Sequence, residues 1–167
     1  MDKGDGSAEE WLITFTRQLR GNLPQGEFIV THAPLAPWFT PEKYGGGAYN
    51  KVHAEVGDSI DWYNIQFYNQ MEYTDCAGLI HTSSSVFPKT SVLEIVAGGV
   101  PAEKVVLGKP ATGADANNGF IEPATLATCV AEAVAEKWNG GVMVWQVSTT
   151  NLLSVMSDVA QSIATLE

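Results

Sequence analysis

The residues best suited to hold a ligand stand in one run, Ile60-Asp61-Trp62-Tyr63-Asn64-Ile65-Gln66-Phe67-Tyr68-Asn69-Gln70. Asn64, Gln66 and Tyr68 alternate with Tyr63, Ile65 and Phe67. Side chains of a strand point alternately to its two faces, so the pattern predicts one apolar face and one hydrogen-bonding face. A wall of amide and phenol groups suits a polar, hydroxyl-rich ligand. The same alternation describes a half-exposed strand of an ordinary sheet, and the pattern alone does not choose between the two.

The other chemistry-bearing residues are scattered. His32, His53 and His81 have no metal-ligand spacing, so neither a metal site nor a cofactor is predicted. His32 reads as a loop cap or as a ligand contact; His53 and His81 read as surface residues. Cys76 and Cys129 fit two buried thiols inside a cell or one disulfide in a secreted protein, and two cysteines do not decide.

The elements that must position these groups follow from punctuation and periodicity. Ser7-Ala8-Glu9-Glu10 reads as a capping box. The helix after it carries Trp11, Leu12, Phe15 and Leu19 at helical spacing and ends near Gly21. Glu27 to Pro34 is a predicted strand, Ala48 to Val56 a short helix, and the run from Ile60 the second strand. After a loop to about Lys89, Thr90 to Val96 is helical and Val105 to Pro110 a third strand. Pro123 fits the first turn of a helix reaching about Lys137. Val142 to Val147 is a fourth strand, and a last helix is predicted over Leu152 to Leu166. Strand and helix recur at roughly forty-residue intervals, the mark of βα units and a parallel sheet. In such folds ligands sit at the carboxyl ends of the strands.

One domain is expected over residues 1–167, with apolar residues at 45% and a net charge of −10. That acidity argues against nucleic acid and against anionic lipid as partners. No apolar run approaches the roughly 20 residues of a membrane span, and residues 1–6 do not resemble a signal peptide, which leaves localisation open.

The four strand ends resemble the second half of glycoside hydrolase family 18, the chitinase family. The nearest likeness is to fungal and class III plant-type chitinases and the related endo-β-N-acetylglucosaminidases. The matching runs are Thr31-His32-Ala33-Pro34, Trp62 to Asn69, Leu107-Gly108-Lys109-Pro110, and Gly141-Val142-Met143-Val144-Trp145. The resemblance implies an α/β fold: strands five to eight of a (β/α)8 TIM barrel, four parallel strands with flanking helices. It implies a binding wall of Gln66, Tyr68, Asn69, Trp145, His32 and Met143 for N-acetylglucosamine oligosaccharides or chitin. Gln66 and Tyr68 would meet the N-acetyl group, and Trp145 would form the apolar floor beneath the sugar. An indole face stacks on the C–H face of a pyranose.

The family's catalytic signature, DxxDxDxE, closes the fourth barrel strand and does not occur in this sequence. In the family the substrate's N-acetyl oxygen attacks the anomeric carbon while the Glu of that motif protonates the leaving oxygen. Losing a general acid costs about two to four orders of magnitude in rate. Asp2 and Asp5 are poor substitutes, so no catalytic residue is assigned. Half a barrel also leaves one sheet face and two edges open. A homodimer closing an eight-stranded ring, or a tightly bound partner supplying the other half, is therefore expected. Three functions follow: a non-hydrolytic chitin-binding protein, an active chitinase or endo-β-N-acetylglucosaminidase, and a defence or interaction protein using the half barrel as a scaffold.

Overall fold

The structure, a computed structural model, describes residues 4–146 and residue 157. Four strands form one sheet in the order β1 (Thr31–His32), β2 (Trp62–Gln66), β3 (Val105–Pro110) and β4 (Val142–Trp145). All neighbouring pairs are parallel. The helices α1 (Ser7–Asn22), α2 (Ala48–Val56), α3 (Val92–Ala97) and α4 (Pro123–Ala135) connect them. This is the expected half barrel. The predicted helix over 152–166 and Asp2 lie outside the described residues.

Tyr63, Ile65 and Phe67 turn to the helix-covered side of the sheet and are fully buried there, with Leu107, Leu79, Ile80 and Leu126. Asn64 and Gln66 turn to the opposite, concave side and keep partial exposure. Register carries this division across the sheet: Gln66 pairs with Gly108 and Gly108 with Met143, while Pro110 pairs with Trp145.

The start of α1 differs from the expected capping box. Ser7 is the first helical residue, and both its N–H and its hydroxyl donate to Asp5 Oδ1, at 2.9 and 2.6 Å. Glu10 does not reach back; its carboxylate pairs with Lys51 on α2. The buried face of α1 differs too. It consists of Glu9, Ile13 and Thr16, whereas Trp11 is 64% and Phe15 47% exposed, their rings stacked at 5.3 Å. The reason is that two of its three buried side chains, Glu9 and Thr16, make polar contacts. Glu9 Oε1 accepts the Ala48 N–H at 2.9 Å, capping α2, and a side chain at Gly46 would lie 2.6 Å from that carboxylate. Thr16 Oγ1 lies 3.1 Å from His32 Nε2. Of the apolar stripe, Leu12 packs partly buried against the core while Trp11 and Phe15 are exposed.

The predicted first strand shrinks to two residues because Phe28 and Gln25 form a local turn and bridge, and Asp61 takes the Val30 N–H at 2.6 Å. The long loop before α3 is not featureless. It holds a π-helical turn, Ala77–His81, with Leu79 and Ile80 buried. Cys76 at its start forms a disulfide with Cys129 of α4, so the two cysteines are paired and not free thiols. Glu94 opens α3 by accepting the Ser91 N–H at 3.1 Å and both the N–H and the hydroxyl of Ser83.

His53, expected at the surface, is half-buried with Nδ1 2.8 Å from the Tyr63 hydroxyl. His32 and His53 both sit in the helix layer, and burial pushes both imidazoles below the usual histidine range. The unfolded chain then binds more protons than the folded one below about pH 6.5, so stability is lost as pH falls through that value toward the depressed folded pKa values. The urea midpoint at pH 5.5 is expected to lie below that at pH 7.5. Equal midpoints would show that neither imidazole is held neutral by the fold.

Candidate functional site

The concave face has a tied lower part and a free upper part. Low on β2, Trp62 Nε1 donates to Asn64 Oδ1 at 3.2 Å, and Asn64 Nδ2 donates to Thr31 Oγ1 at 3.4 Å. Asn64 is therefore spent on its neighbours. One pleat higher, Gln66 Nε2 donates to the Ala33 carbonyl at 2.7 Å. That bond fixes the amide and leaves its Oε1 as an acceptor directed away from the donor.

Tyr68 follows on the same side. Its side chain is only 3% exposed, yet among the described residues its hydroxyl has no hydrogen-bond partner. Burial pushes the phenol pKa up, so the group remains a neutral donor. The backbone of Gly119 is pressed against it: a Cβ there would lie 2.8 Å from Tyr68 Cα, and Gly119 has a φ of +90°. Asn69 is exposed and takes the left-handed conformation at φ +69°, which Asn tolerates better than most residues. Its Oδ1 accepts the Asn117 N–H at 2.7 Å and its own N–H donates to the Asn118 carbonyl at 3.1 Å.

Across the sheet from Gln66 stands Gly108, and a Cβ there would meet Met143 Cε at 2.6 Å and the Ile65 carbonyl at 2.5 Å. Glycine at this position lets the methionine lie flat on the sheet. Trp145, beside Pro110, is 48% exposed on the concave side. Its carbonyl accepts the Ala111 N–H at 2.6 Å, and its peptide bond to Gln146 is cis. Strands lie about 4.8 Å apart and successive same-face residues about 6.6 Å apart. Gln66, Met143 and Trp145 therefore frame a surface roughly 10 Å by 7 Å, enough for one sugar ring.

His32 is not part of this surface. It shares the buried face with Tyr63, its register partner, and lies between Thr16 and Tyr49, whose hydroxyl is 3.3 Å from Nδ1. The sequence did not single out Lys109, Gly119 or Asn118, which hold the strand ends in place. Asn118 and Gly119 read as an ordinary Gly/Asn loop, and Lys109 only as part of the third strand's end. Among the described residues no cluster of His, Cys, Asp or Glu could hold a metal. Asp115, next to the end of β3, is engaged by the N–H and hydroxyl of Thr112 at 2.9 and 2.6 Å. Also among the described residues, no helix is long and apolar enough to cross a membrane.

No protein-family model matches the chain. The chain is similar to a class III chitinase of Arthroderma benhamiae, 29% identical over 145 residues, covering 82% of this chain and 41% of that protein. Among solved structures it is similar to a GH18 chitinase from Pseudoalteromonas aurantia, with 30% identity and a TM-score of 0.77, over 93% of this chain and 53% of the other. A fungal endo-β-N-acetylglucosaminidase of glycosyl hydrolase family 18 shares the fold, at 24% identity and a TM-score of 0.67, over 91% of this chain and 50% of the other. The chain thus spans about half the length of the proteins it matches.

Proposed function

Since this chain is a partial glycoside hydrolase family 18 domain of the chitinase-like kind, we propose that its concave face binds glycans built of N-acetylglucosamine, and that these 167 residues hold such a glycan without cutting it. The observation that carries the reading is the convergence at the strand ends. Among the described residues a free amide acceptor on Gln66, an unpartnered phenol on Tyr68 and an exposed indole at Trp145 stand on one face. Amide and phenol would engage the N-acetyl group while the indole covers the C–H face of the ring. No DxxDxDxE run occurs in the sequence, and Asp5 is occupied in starting α1.

The test is calorimetry with N-acetylchitotetraose beside cellotetraose, which has the same backbone without the acetamido groups. Binding of the first and not the second supports the reading; equal or absent heats overturn it. Release of chromophore from a chitobiose glycoside at wild-type levels and its loss on changing one carboxylate would replace it with an active glycosidase.

A second copy would supply four further parallel strands. Among the described residues β1 and β4 each pair on one side only, and α1 exposes Trp11 and Phe15. Phe28 and Ile29, just before β1, are 47% and 67% exposed. Pairing β4 of each copy with β1 of the other would cover these residues and close a ring of eight strands. A homodimer mass by light scattering at micromolar concentration is the expected result, and a stable folded monomer would overturn it.

A further inference from the structure

Lys109 is fully buried on the helix-covered side of β3, opposite the face that carries the wall. Its ammonium donates to three backbone carbonyls: Phe67 at 2.8 Å, Tyr73 at 2.7 Å and Gly119 at 2.9 Å. Three donors meet three acceptors, so the valence of the ammonium is complete. Two of the carbonyls bound the arch that runs from Phe67 to Tyr73. The third belongs to the glycine that backs Tyr68.

The arch needs such a clamp. Asn69, Met71 and Tyr73 all have positive φ, at +69°, +64° and +60°. Non-glycine residues in that region cost energy and persist only where the surroundings over-determine them. Besides the ammonium, the arch is held by three bonds to one loop: Asn69 N–H to the Asn118 carbonyl, Met71 N–H to Asn118 Oδ1, and Asn117 N–H to Asn69 Oδ1. Lys109 joins both sides of that seam from beneath.

The geometry points to Lys109 as a positioning residue: by gathering the carbonyls of Phe67, Tyr73 and Gly119 it sets the arch that presents Tyr68 and Asn69 to the ligand. Burial pushes the Lys109 pKa down to about 7, and the three carbonyl acceptors are what favours the charged form there. Its ligand-binding consequence rests on the function proposed above; its effect on the arch does not.

Two measurements separate these. In Lys109→Met, amide exchange at Asn69, Met71 and Asn117 should accelerate by about tenfold or more, while Leu107 and Ile95 change by less than about threefold. A uniform acceleration, or none, overturns the clamp. For binding, a double-mutant cycle with N-acetylchitotetraose pairs Lys109→Met with Tyr68→Phe. The lysine change should weaken binding about tenfold in the parent and less than about twofold in the Tyr68→Phe chain, because it acts through that residue. Equal losses in both backgrounds overturn the positioning role, since a general loss of structure would not distinguish them. Should Lys109→Met fail to fold, Lys109→Arg serves in both experiments. Its planar fork keeps the charge but cannot meet three convergent carbonyls, so the same pattern in weaker form is expected, and parental behaviour overturns the proposal. If the parent chain binds no oligosaccharide, the sugar reading fails and the exchange experiment alone decides the clamp.

Discussion

A chain carrying Cys76→Ser and Cys129→Ala will unfold with about 4 kcal/mol less free energy than the parent, because the cross-link spans 53 residues and closing such a loop in the denatured chain removes about that much. The choice of residues follows from burial. Cys129 is fully buried, where a serine hydroxyl would lack a partner, whereas Cys76 is only half-buried. A domain of this size is stable by only about 5 to 15 kcal/mol, so the loss is a large share. Urea denaturation measures it, and the dependence on urea should steepen because the uncrosslinked denatured chain exposes more surface. Structurally, the bond pins the turn carrying Leu79 and Ile80 against α4 behind β2 and β3. A loss under about 1 kcal/mol would show that packing alone holds that turn and that the entropic account fails here.

The disulfide also marks where the sequence stopped being legible. Nothing near Cys76 predicts an ordered turn, since its polar run of Thr74, Asp75 and Gly78 resembles any loop. Pairing is a property of the folded topology, which brings residues of α4 beside that turn. Where local pattern and tertiary demand agree, the sequence predicts the element. Ala48–Val56 and Val105–Pro110 have the boundaries their glycines and prolines announced, and the alternation from Tyr63 to Phe67 assigned each side chain to its face. Where they disagree, tertiary demand wins. The stripe of Trp11, Leu12, Phe15 and Leu19 looks like a core face, yet Trp11 and Phe15 are exposed while Glu9 and Thr16 are buried, because Glu9 caps Ala48 of α2 and Thr16 meets His32 of β1. A hydrophobicity pattern sees no hydrogen bond, so it cannot rank a buried carboxylate above an exposed indole.

The same limit applies to the site. Gln66, Tyr68, Asn69, Met143 and Trp145 lie at or near the upper concave edge, whereas His32 faces the opposite layer. Strand parity contained that answer. His32 pairs with Tyr63, a residue already assigned to the apolar face, so its imidazole had to point away from Gln66. Parity could also have placed Lys109, which alternates with Gly108 and so belongs with Leu107 in the core. A lysine in a buried position is rare enough that composition argued against it. Only the three carbonyls that surround it make the burial tolerable, and two of them come from an arch whose conformation no local signal predicts.

Trp145→Ala will weaken binding of N-acetylchitotetraose by at least about thirtyfold, roughly 2 kcal/mol, the range found when an aromatic anchor is truncated. Stability should hardly change, by about 0.5 kcal/mol or less, since exposed substitutions away from the core are usually of that size. The structure supports the separation. The indole is 48% exposed and outside the main apolar cluster, and the bond from the Ala111 N–H reaches its backbone carbonyl, which alanine keeps. The split is what distinguishes a sugar floor from a plain core tryptophan, for which removal would cost stability first, by about 3 to 5 kcal/mol. Calorimetry and urea denaturation on the same preparation give both numbers. Binding within about threefold of the parent would deny Trp145 the floor. In that case the free Gln66 and Tyr68 groups would have to hold a polar ligand without a stacking surface, and discrimination between N-acetylchitotetraose and cellotetraose would rest on hydrogen bonds alone.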